Sequence, residues 1–96
     1  MPTLRGLGDA LSRIAVAYLV HAGTTLDDVP DAARTEIERT MHDIAESVST
    51  VPASSPFWSS MDDSLLQIDV SGWRVIYALD PRKQELRVLD VAQIRR

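Results

Sequence analysis

The stretch "SGWRVIYALDPRK", Ser71 to Lys83, decides how this chain folds. Ser71-Gly72 has the chemistry of a two-residue hairpin turn, with Gly72 supplying a positive φ. "WRVIYAL" then alternates. Trp73, Val75, Tyr77 and Leu79 share one face, and Arg74, Ile76 and Ala78 share the other. Asp80-Pro81 starts a second turn with proline at its favoured second position. A strand bounded by two turns implies neighbours on both sides. "LLQIDV" precedes it, with Leu66, Ile68 and Val70 on one face and Leu65, Gln67 and Asp69 on the other. "ELRVLDV" follows and is apolar on both faces except at Arg87 and Asp90, the pattern of a central or better-covered strand. Strands over 65–70, 73–79 and 85–91 therefore form an antiparallel meander. Three strands alone are barely stable, so helices must cover one face.

The N-terminal half supplies those helices. From Gly8 to Ala22, Leu11, Ile14, Ala15, Tyr18, Leu19 and Ala22 fall at helical spacing. Asp9 can cap the start and Gly23 the end. "RIAVAYLV" also alternates, with Ile14, Val16, Tyr18 and Val20 on one face, so a strand over 13–20 is the rival reading. Thr24 to Val29 reads as a connector. Pro30 opens a second helix over 30–48, whose stripe is Ala33, Ile37, Met41, Ile44 and Val48. Residues 49–63, "STVPASSPFWSSMDD", read as a loop because of their prolines and serines. Phe57 and Trp58 stand out there. They either plug one end of the core or anchor a partner. The expected class is α+β: two N-terminal helices on one face of a C-terminal three-stranded antiparallel meander, one domain over 1–96.

Composition narrows function. The 96 residues suit one domain, and cysteine is absent, which excludes disulfides and thiolate metal sites. No apolar run reaches membrane-span length, and the longest candidate lacks the basic leader of a signal peptide, so a cytoplasmic protein is expected. The net charge is −4, but it is uneven: residues 1–48 carry all of it, whereas Trp73 to Arg96 carry +3. A basic quarter on an acidic body is not the profile of a free-standing nucleic-acid binder.

The late residues resemble a known family. "LLQIDVSGWRVIYALDPRKQELRVLDVAQIRR" is similar to the C-terminal half of RelE/ParE-superfamily toxins of bacterial toxin–antitoxin pairs. The shared pattern is Gly72, Trp73, Arg74, Val75, Ile76 and Tyr77, then Asp80-Pro81, then "LRVLDV", then the closing Arg95-Arg96. The resemblance implies that Arg74 faces phosphate and that Arg96, with Arg95, matches the closing basic residues. In the RelE branch it implies metal-independent cleavage of mRNA on the ribosome, with Arg74 and Arg96 as transition-state stabilisers. In the ParE branch it implies inhibition of DNA gyrase. In both it implies silencing by an antitoxin that wraps the sheet and helices. This chain departs from the RelE nucleases before the hairpin, where Gln67 and Asp69 stand in place of basic residues. The expectation is therefore a diverged toxin-like protein that acts by binding through Arg74, Arg87, Arg95, Arg96, Phe57 and Trp58. A nuclease and a non-toxin regulatory module are the alternatives.

Other chemistry is sparse. Glu38, His42 and Glu46 lie four apart on one helix stripe, a spacing far more often a solvated face than a metal site. No nucleophile elbow or phosphate loop is present, and no metal or cofactor is expected. Tyr77 belongs to the core face of its strand. Arg74 lies opposite. If that face is open, Arg74 is available to a partner; if it is covered, Arg74 pairs with Asp69 or Asp90 across strands.

Overall fold

A computed structural model describes residues 14–52, 54–61 and 64–94. In order they form β1 (Ala15–Tyr18), α1 (Val20–Asp27), α2 (Asp31–Ser49), α3 (Pro56–Met61), β2 (Leu66–Val70), β3 (Trp73–Asp80) and β4 (Glu85–Gln93). The sheet has four strands in the order β1-β4-β3-β2. β2, β3 and β4 make the antiparallel meander, and β1 joins its far edge parallel to β4. The fold is α+β, with the helices packed on one face of a mixed sheet.

The first expected helix is corrected. Within the described part of 8–22, Ala15–Tyr18 is a strand, and a helix begins only at Val20. Ile14, Val16 and Tyr18 turn towards the core while Ala15 and Ala17 turn away, the alternating rival pattern. What decides is β4, whose edge supplies the backbone partners; Ala15 and Leu19 donate to Gln84 and Val88 at 3.0 Å. Local helix preference is weak beside such a ladder. The Thr24–Val29 connector is corrected too: α1 occupies most of it, and Gly23 lies inside that helix rather than ending it. The remainder of the expected helix, with its Asp9 cap, lies outside the described residues.

α2 buries Ile37, Met41 and Ala45 against the sheet, with Ala33, Ile44 and Val48 packed beside them. Its last turn is fastened to β1. The Ile14 N–H donates to Ser49 Oγ at 2.8 Å, and that hydroxyl donates to the Ala45 carbonyl at 2.7 Å. The serine thus satisfies a backbone donor that no strand neighbour reaches.

Both turns of the meander use left-handed backbone. Ser71 (φ 51°) and Gly72 (φ 85°) both take positive φ, as the tightest hairpin turn requires. Ser71 therefore shares the conformation expected of Gly72 alone. At the other end, Asp80 Oδ1 accepts from the N–H groups of Arg82 (3.0 Å) and Lys83 (3.2 Å), and Gln84 (φ 54°) returns the chain.

β4 contains a bulge. Ile76 opposes Asp90 and Tyr77 opposes Val88, so Leu89 is the extra residue. Strict alternation after Leu86 and Val88 would send Asp90 into the core. The bulge sends Val91 there instead, 2% exposed, and leaves Asp90 on the outside.

The loop expected over 49–63 contains α3. Ser55 and Pro56 form its start: Ser55 Oγ accepts from the Phe57 N–H at 3.1 Å, and proline occupies the first helical position. The helix drives Trp58 into the core at 5% exposure. Trp73, in contrast, lies half-buried at the hairpin end of β3.

Five variants test this packing. Trp58→Ala should cost about 3–5 kcal/mol in urea denaturation, and Trp73→Ala roughly 1–2 kcal/mol. Deleting Leu89 restores plain alternation and should leave a cooperative thermal transition, whereas Val91→Asp buries an unpaired charge and should cost at least about 3 kcal/mol. The Tyr18 phenol is pushed up to about 12 from 10.0, first by burial and then by the charge of Glu38. Its neutral form is the one the folded state favours. The associated stability should be intact below pH 10.0 and be lost as pH rises towards about 12, and Tyr18→Phe should flatten that loss.

Candidate functional site

The helices leave the second face of the sheet open among the described residues. Register places six charged side chains on it: Asp69 on β2, Arg74 and Asp80 on β3, and Glu85, Arg87 and Asp90 on β4. Between them Ile76, Ala78, Ala17 and Ala92 make an uncharged floor. Alternation alone put Arg74 there. The bulge was needed to bring Asp90 to the same side.

Arg74 is directly opposite Asp69 on β2 and Ala92 on β4. Its Nε donates to Asp69 Oδ1 at 3.3 Å, with the arginine side chain 46% exposed. The sequence offered an open face or a cross-strand pair as alternatives. Both hold, because a cross-strand pair needs only adjacency and not cover. Arg87 lies two rows away, between Ala17 and Ala78. Its NH1 is 3.7 Å from Asp80 Oδ2 and its Nε is 3.9 Å from Glu85 Oε1. Asp90 Oδ1 is 3.1 Å from Nε2 of His21, in the first turn of α1.

That last contact joins residues no motif connects. It depends on α1 starting beside β4, which follows from the parallel β1–β4 register. No role was expected of His21, and a sequence pattern could not have paired it with Asp90.

The remaining candidates fall elsewhere. Trp58 sits in the core with Phe57 packed edge-on against it, ring centroids 5.1 Å apart. Its indole N–H points to the Val51 carbonyl at 3.5 Å. Trp58 is therefore a packing residue and out of reach of a partner, which corrects the binding role expected of it; Phe57 is partly exposed beside it. Arg95 and Arg96 lie outside the described residues. Tyr77 is on the core face, 9% exposed, and burial raises its phenol pKa. On α2, His42 Nε2 lies 3.4 Å from Glu46 Oε2, an ordinary pair one turn apart.

No helix among the described residues is long and apolar enough to cross a membrane. No protein-family model matches the chain, and no curated protein does. Solved structures do. The isolated Escherichia coli RelE toxin superposes with a TM-score of 0.64 at 15% identity, covering 86% of each chain. The intact E. coli RelBE toxin–antitoxin complex gives 0.57 at 13% identity, covering 86% of this chain and 99% of that one. The archaeal RelE–RelB complex from Pyrococcus horikoshii OT3 gives 0.54 at 14% identity, covering 85% and 96%. The mixed four-stranded sheet with helices on one face is the fold that this chain shares with these RelE structures.

Proposed function

We propose that this chain is a diverged RelE/ParE-like toxin-family protein of the bacterial cytoplasm, acting by binding a macromolecular target and silenced by an antitoxin. The observation that carries this reading is the position of Arg74: half exposed, on the sheet face opposite the helices. A guanidinium there is always charged, and its planar fork suits two-point contact with a partner's oxygens. Arg87 is on the same face, and Arg95 and Arg96, which follow β4 in sequence, are read as extending the contact surface. Phe57, partly exposed on α3, is read as a separate apolar contact. An antitoxin is the partner favoured by the fold likeness, since two of the matching structures are complexes of a RelE toxin with its antitoxin.

Induced expression in bacteria tests this reading. Growth arrest, relieved by co-expression of the product of the adjacent gene, is expected. Arrest accompanied by mRNA cleavage would move the reading to a ribosome-dependent nuclease using Arg74 and Arg96. Arrest with gyrase-linked DNA breaks would place the target in the ParE branch. Unimpaired growth would leave a non-toxin binding module. Arg74→Ala should abolish the arrest while costing less than about 1 kcal/mol of stability, because its ion pair is exposed. A large fall in melting temperature would show that the side chain holds the sheet together instead.

A further inference from the structure

Each of the six charged side chains on the open face has an opposite charge or an imidazole beside it. Asp69 holds Arg74, Asp80 and Glu85 flank Arg87, and Asp90 meets His21. The arrangement spans four elements, α1, β2, β3 and β4, so it is a property of the face rather than of one hairpin. Carboxylates outnumber guanidiniums there by four to two.

Such a face disfavours one class of partner. Nucleic acid gains affinity from each phosphate a protein neutralises, and it needs cations in surplus. Among the described strand residues of this face the surplus is acidic. At Arg74 the conflict is sharpest. The bond to Asp69 uses Nε, and among the described residues NH1 and NH2 make no hydrogen bond. An anion arriving at that free end of the fork meets the Asp69 charge beside it.

We propose that Asp69 sets the specificity of the open face by keeping a phosphate backbone off Arg74. The proposal rests on the reading of this face as the contact surface and names the class of partner it excludes.

The test is a binding comparison on the whole chain with a labelled single-stranded RNA of about 20 nucleotides. At about 50 mM salt, wild type should show no saturable binding, and Asp69→Asn should bind roughly five- to ten-fold more tightly than the wild-type limit, losing the gain near about 200 mM. The double variant Asp69→Asn/Arg74→Ala should return to wild-type behaviour. Thermal transitions of all three check that each is folded. Saturable RNA binding by wild type, no gain in Asp69→Asn, or a gain that survives removal of Arg74 would each overturn the proposal. None of these readouts needs toxicity. Unimpaired growth on expression would defeat the toxin reading and leave the Asp69 effect standing, and equal RNA binding would do the opposite.

Discussion

The architecture depends on how β4 is seated. It is hydrogen-bonded on both sides, to β3 antiparallel and to β1 parallel, so its register fixes where three other segments go. Leu86, Val88 and Val91 all reach the core from it, and Arg87 and Asp90 all reach the outside. Those five positions are incompatible with unbroken alternation. The bulge at Leu89 reconciles them, at the cost of one unpaired residue and extra local twist. Beyond the bulge β1 has ended, and α1 begins beside the strand. The same irregularity therefore decides the core composition, the charge on the open face and the meeting of His21 with Asp90.

The open face contributes little to stability. Exposed ion pairs are worth roughly 0.2–1 kcal/mol each, and the longer Arg87 contacts belong at the bottom of that range. Stability resides on the other side, where Ile37, Met41, Val75, Leu86 and Val88 are wholly buried. The charges on the open face are thus free to vary without loss of the fold. Their internal pairing has its physical consequence in what can approach. A compensated, slightly acidic surface over a floor of small residues discourages polyanions and still admits a flat protein partner.

The meander was legible because its signals are local. A Ser-Gly turn, an Asp-Pro turn and two-residue alternation between them leave few alternatives, and Arg74 reaches its observed face by counting from Gly72. Helix α2 was legible for the same reason, through its stripe from Ala33 to Val48. The segment Ile14 to Leu19 was not, because alanines and aliphatics there satisfy both periods, and a strand sixty-odd residues away chooses between them. α3 was hidden by composition. Ser55-Pro56 is a helix start, but serines and prolines around it read as loop. On the site, the side of the sheet was readable and the partners were not. Asp69 could be named because it lies across a two-residue turn. His21 and the Arg87 contacts depend on the seating of β4.

The likeness to RelE toxins at 13–15% identity has the same explanation. A fold of this kind is specified by which positions are apolar, where the turns fall and where a strand must break step. All three survive wholesale substitution provided volume and pattern are kept. Chemistry is specified differently, by a few side chains on a face that packing does not constrain, so it can be lost or exchanged while the backbone stays. In this chain the arginine after the hairpin turn is on the open side, and the residue opposite it across the turn is an aspartate. One carboxylate at 3.3 Å changes what that arginine can meet far more than it changes the sheet that carries it. What this chain shares with those structures is thus the pattern that builds the core, and the electrostatics of the open face are specified separately.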